Sequence, residues 1–214
     1  NPASNVDMYN VAVGFDAGLS VTTGVQNTLI GGLAGDALTD ADYNTALGYL
    51  ALSSDTLGST SVAIGAYSLE AQNFTSATNA YNVAIGYNTG ADVTTGTNNT
   101  LIGGLAGDAI TTGSANTAVG TAALTANTTA NDNVAVGVSA LETNTTGASN
   151  VAINNNALLR NTTGSSNIAI GKESLSYNTT ASNNTAVGHQ SLFANTTGGS
   201  NTAVGYLSLD SNTT

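Results

Sequence analysis

Residues 116–149 read N-T-A-V-G-T-A-A-L-T-A-N-T-T-A-N-D and then N-V-A-V-G-V-S-A-L-E-T-N-T-T-G-A-S. This is one 17-residue unit written twice, and the rest of the chain repeats it. The opening motif N-[TVI]-[AL]-[VIL]-G begins at Asn10, Asn27, Asn44, Ser61, Asn82, Asn99, Asn116, Asn133, Asn150, Asn167, Asn184 and Asn201. Every interval is 17 residues except Ser61 to Asn82, which is 21. A four-residue insertion therefore falls within residues 73–81. The block N-T-L-I-G-G-L-A-G-D-A occurs at both Asn27 and Asn99, which points to a local duplication.

Within the unit, position 2 is Thr, Val or Ile and position 4 is Val, Ile or Leu. This β-branched, period-2 pattern predicts a short strand. Gly, Asn and Thr elsewhere in the unit disfavour helix. Position 5 is Gly in every unit except one, where it is Asn154. Both residues tolerate positive φ, so a left-handed corner is expected there. A second corner is expected around position 15, inside the N-T-T-G cluster. Three inward side chains cannot offset the entropy of ordering 17 residues, so a lone coil cannot fold and the coils must stack. The expected fold is all-β: a parallel β-solenoid of twelve coils over residues 10–214, after a lead-in at 1–9. At one strand spacing per coil, the rod is about 58 Å long.

Alternation places positions 2 and 4 in the core and position 3 outside. The expected buried column runs Val13, Ile30, Leu47, Ile64, Ile85, Ile102, Val119, Val136, Ile153, Ile170, Val187 and Val204. Position 3, Ala apart from Leu29 and Leu101, would then form an exposed stripe suited to a subunit interface. Positions 9 and 12 vary together. Eight units carry Leu at position 9 and a polar residue at 12 (Leu141 with Asn144, for example). The other four carry Gly18, Gly35, Gly90 and Gly107, with Val21, Leu38, Val93 and Ile110 at position 12. One bulky apolar group per coil is conserved in volume, so the two positions are expected to share a pocket.

The N-T-A-V-G and N-V-A-I-G segments resemble the N-S-V-A-I-G motif of the head repeats of YadA-like trimeric autotransporter adhesins. The longer unit is similar to repeats of phage tail-fibre-like proteins. The resemblance covers Asn10 to Thr214, although a period of 17 exceeds the usual adhesin-head unit. It implies a left-handed β-roll, three chains about one axis, and an extracellular attachment role at a cell surface or on a virion fibre. A cell-surface glycan or protein would be the receptor. The alternative is a ligand-binding solenoid that recognises glycan or ice through a regular Thr/Asn or aromatic face.

Composition narrows the chemistry. Charged residues are only 7%, and Arg160 and Lys172 stand against thirteen acids for a net charge of −11. A nucleic-acid partner is not expected, and no apolar run is long enough for a membrane helix. The absence of cysteine and the single histidine, His189, leave no thiol or His-pair metal chemistry. No catalytic, cofactor or metal residue is expected, and the variable column around His189 predicts an outward site. G-G-L-A-G-D at Gly31–Asp36 and Gly103–Asp108 is similar to a calcium-binding nonapeptide, but the motif does not recur in adjacent coils. The candidate receptor surface is the early aromatic set Tyr9, Tyr43, Tyr49, Phe74, Tyr81 and Tyr87. These rings can stack on sugars, or pack at corners and subunit contacts. Sequons begin at Asn73, Asn98, Asn127, Asn144, Asn161, Asn178, Asn183, Asn195 and Asn212, mostly as a by-product of the N-T-T repeat. The paired Thr columns beside them (Thr128/Thr129 onward) are the candidate ice-matching array.

Overall fold

The computed structural model describes residues 8–214. The lead-in expected at 1–9 therefore lies mostly outside the described residues. Twelve three-residue strands, from Val11–Val13 to Thr202–Val204, form one parallel sheet in chain order. Each strand pairs with the next without slippage: Val134, Ala135 and Val136 face Val151, Ala152 and Ile153. The expected parallel β-solenoid is the fold. The ladder also extends beyond the strands. Leu124 N–H donates to the Ala140 carbonyl at 3.0 Å, and Thr128 N–H to the Thr145 carbonyl at 3.2 Å.

The four-residue insertion leaves the stack intact, because Val62–Ile64 pairs directly with Val83–Ile85. It does not simply bulge outward, however. Thr75, Ser76 and Ala77 are exposed, but Phe74 is only 5% exposed. Thr78–Asn79 then pairs with Gly58–Ser59 in a small second sheet.

The core register is inverted relative to the expectation. Position 3 points inward: Ala46, Ala63, Ala84 and Ala118 are all 0% exposed. Positions 2 and 4 point outward, with Leu47 42% and Ile170 38% exposed. The reason is the thickness of the coil. Leu at position 9 (Leu52, Leu124, Leu141) is fully buried. With that leucine in a single-layer coil, only a methyl fits at position 3. Position 3 is therefore core rather than a subunit interface.

The shared pocket of positions 9 and 12 is present. A Cβ on Gly35 would lie 2.8 Å from Leu38 Cδ1, and one on Gly107 would lie 2.8 Å from Ile110 Cδ1. Position 3 belongs to the same pocket, since Leu29 and Leu101 occupy the space vacated by the position-9 glycines.

Asn154 has φ of 99°, in line with the positive φ of the position-5 glycines such as Gly137 at 137°. Close packing acts at the same place, because a Cβ on Gly120 would meet the Gly137 carbonyl oxygen at 2.5 Å. The second corner falls in the N-T-T-G cluster as expected, with bends at Thr128 and Thr129, and further left-handed residues occur where none was expected. Positive φ recurs at positions 7, 9 and 17, as in Leu50 (55°), Leu52 (56°) and Thr60 (65°). Position 15 is not left-handed; its glycines admit the next coil's backbone, as Gly113 does for the Ala130 carbonyl.

Two columns of buried amides run beside the apolar core. At position 1, Asn150 Oδ1 accepts from Asn167 N–H at 3.0 Å, and Asn150 Nδ2 donates to the Gly164 carbonyl at 2.9 Å. At position 12, Asn161 Nδ2 donates to Asn144 Oδ1 at 2.8 Å and to the Gly164 carbonyl at 2.9 Å. Each buried amide thus satisfies orphan backbone groups in the turns, which would otherwise carry a desolvation cost. Where Ser61 shortens the first column, Gln72 spans the gap. Its Nε2 reaches Ser61 Oγ at 3.0 Å and Asp55 Oδ2 at 2.6 Å, while Asn82 donates to its Oε1 at 2.8 Å.

Candidate functional site

The sheet presents its outer side as a continuous surface of small apolar and hydroxyl side chains. Val62, Val83, Val134 and Val151 at position 2 are half-buried, and Leu47, Ile102, Ile153 and Ile170 at position 4 are exposed. Because every strand is in register, this face repeats once per coil for twelve strands.

Five of the six aromatic candidates lie along its margins. Tyr9, Tyr43 and Tyr81 stand just before a unit begins, and Tyr49 and Tyr87 just after a corner glycine. All five are exposed, from 49% at Tyr49 to 71% at Tyr9. Tyr67 links the second group, with ring centroids 5.6 Å from Tyr49 and 5.9 Å from Tyr87, both edge-on. Phe74 does not belong to this surface. The inserted segment folds it against Gly58, where a Cβ would lie 2.7 Å from its ring. The structure therefore divides the sequence-derived set between two rims and one buried ring.

The paired Thr columns have distinct roles. Position-13 hydroxyls are half-buried and donate to the next coil's backbone, as Thr145 Oγ1 does to the Thr162 carbonyl at 3.0 Å. Only position 14, from Thr112 through Thr129, Thr146, Thr163 and Thr180 to Thr197, is exposed. One column is not a two-dimensional array. Five sequon asparagines (Asn127, Asn144, Asn161, Asn178 and Asn195) are fully buried in the position-12 ladder, which closes them to glycosylation. Asn73, Asn98 and Asn183 are exposed.

In G-G-L-A-G-D the glycines are corner residues, with Gly31 at φ 135° and Gly35 at φ 55°. Asp36 and Asp108 each have a buried Oδ1 without a hydrogen-bond partner. Burial raises both carboxyls above their ordinary value, opposed by nearby backbone N–H groups; Asp16 and Asp92 add like-charge repulsion to the rise. Among the described residues no group of three or more acidic or histidine side chains is placed to hold a metal ion. His189 is half-buried and stacked on Tyr206, with centroids 5.5 Å apart, rather than fully outward. No helix among the described residues is long and apolar enough to cross a membrane.

No family model, curated protein or solved structure matches the chain. The feature missed in sequence is the strand face itself. Its β-branched columns at positions 2 and 4 were visible, but their apolar character pointed to the core.

Proposed function

We propose that this chain is a segment of an extracellular attachment rod, an adhesin head or tail-fibre shaft. Three copies associate through the outer faces of their sheets. The observation that carries this reading is the outward Thr/Val/Ile/Leu face, half-buried to exposed, which runs along twelve strands. Monomeric soluble proteins rarely leave a contiguous apolar surface of that extent bare. Cyclic closure covers it without open-ended growth. The count of three follows the resemblance to YadA-like heads. In this arrangement positions 2 and 4 meet at the shared contact, rather than position 3, and the turn segments face outward to a receptor.

The rod has no enzymatic role in this reading. The in-register ladder and the satisfied amide columns give it stiffness along its axis. Light scattering of the purified chain tests the assembly. Three chains of 21.0 kDa give a particle of about 63 kDa, whereas a stable 21.0 kDa species refutes it.

A further inference from the structure

Arg160, the chain's single arginine, lines a surface cleft, and Lys172, its single lysine, pairs with Glu173 of the same lining from the adjacent coil. The cleft has a volume of about 200 Å³, and Leu159, Arg160, Glu173, Ser176, Tyr177 and Phe193 line it. It lies on positions 7–11 of three successive coils, away from the strand face, so sheet-to-sheet assembly leaves it open.

Its electrostatics are asymmetric. Glu173 is engaged through both oxygens: Lys172 Nζ is 3.6 Å from Oε1, and Gln190 Nε2 donates to Oε2 at 2.7 Å. Arg160 makes no ion pair among the described residues. Its Cζ lies over the Tyr177 ring, 4.3 Å from the centroid, and its guanidinium N–H groups have no hydrogen-bond acceptor among the described residues. Tyr177 and Phe193 meet edge-on at 4.9 Å and, with Leu159, form an apolar corner. Asn156 and Ser176 complete the lining. In a chain of net charge −11, Arg160 sets a cation without an ion-pair partner among the described residues beside an aromatic wall, on a lining whose one carboxylate, Glu173, is held by Lys172 and Gln190.

We infer that the cleft formed by Arg160, Tyr177 and Phe193 binds one acidic sugar residue, its carboxylate on the guanidinium and its ring against the aromatic corner. The requirements match one by one. The guanidinium edge offers the paired donors that a carboxylate accepts. The rings offer an apolar surface for the C–H face of a pyranose. The volume is below the roughly 300 Å³ of a drug-sized pocket, so a single ring fills it. This inference rests on the attachment reading only for its biological purpose; the site itself is complete within one chain.

The chain has a single arginine, so one side-chain Nε–Hε signal in a ¹H–¹⁵N spectrum reports on the site. The probes are the methyl glycosides of N-acetylneuraminic acid and glucuronic acid, with methyl β-glucoside as the neutral control. We expect the arginine signal to shift and saturate, with Kd on the order of millimolar, for at least one acidic glycoside. Which of the two binds identifies the sugar class. The glucoside should bind at least about tenfold more weakly. Arg160→Gln should abolish saturable shifts of neighbouring amides while leaving the amide pattern of distant coils unchanged. Tyr177→Ala serves as a second variant should the first fail to fold. No saturation with either acidic glycoside, equal binding of the glucoside, or binding retained without Arg160 overturns the inference. None of these results alters the particle mass, so the assembly proposal is tested separately.

Discussion

Leu29 occupies the space that a side chain on Gly35 would need: a Cβ on Gly35 would lie 2.8 Å from Leu29 Cδ2. The backbone does not require glycine there. Gly35 has φ of 55°, and the equivalent Leu52 has φ of 56°. Three columns, at positions 3, 9 and 12, thus share one filled volume. Gly35→Leu alone should destabilise the rod by about 1–3 kcal/mol through overpacking. Adding Leu29→Ala and Leu38→Asn rebuilds the arrangement of the leucine-bearing coils and should recover most of that loss. Denaturant unfolding of the single and triple variants measures the coupling.

The amide columns predict a polar cost of comparable size. Asn150→Ala leaves Asn167 N–H without its acceptor, while the Gly164 carbonyl loses one donor and keeps Asn161 Nδ2 at 2.9 Å. The one buried group left unpaired costs about 1–3 kcal/mol. Denaturant unfolding should therefore show a loss of about 1–3 kcal/mol, although the side chain removed is polar.

Asn154 stands where eleven coils carry glycine, at φ of 99°. Asn154→Gly should raise stability by less than about 1 kcal/mol, because Asn already tolerates the region better than other side chains. Its Oδ1 also accepts from Asn155 N–H at 2.8 Å, a contact the glycine loses. Asn154→Val should be destabilising. Thermal melts of the two variants should move in opposite directions.

Asp108 supplies a pH dependence with a definite sign. Burial raises its carboxyl above the ordinary value of 3.8, so the folded rod binds a proton more readily than the unfolded chain. Stability then falls as pH rises from 3.8 through the raised value, and the penalty is complete above it. Asp108→Asn should stabilise the rod at pH 7. That advantage should vanish below pH 3.8, where both states are protonated. Unfolding of both proteins across that range checks it.

The stack, its strand, its positive-φ corner at position 5 and the exchange between positions 9 and 12 were legible because each leaves a periodic mark. The inside–outside assignment is not, because in a coil this thin apolar bulk lies on the outer face and only a methyl fits inside. The decisive signal lay in a third column: Leu29 sits between Gly18 and Gly35, and Leu101 between Gly90 and Gly107, so position 3 trades volume with position 9. The extra left-handed positions also leave a mark. Positions 7 and 17 never carry Val or Ile, which positive φ disfavours. The acidic-sugar cleft depends on a relation that only stacking makes visible: Arg160 and Tyr177 are one period apart, hence direct neighbours. The burial of Phe74 leaves no periodic mark, because the insertion around it breaks the repeat.

The central claim is that copies of the rod meet through the outer side of the sheet. Light scattering of two matched triple variants beside the parent chain tests it most directly. Val119→Glu, Ile153→Glu and Ile170→Glu place charges on the strand face, and Thr146→Glu, Thr163→Glu and Thr180→Glu place them on the exposed column away from it. The account predicts about 63 kDa for the parent and the threonine variant, and 21.0 kDa for the strand-face variant with its β-sheet circular dichroism retained. A parent chain at 21.0 kDa, or two variants that dissociate alike, would contradict it.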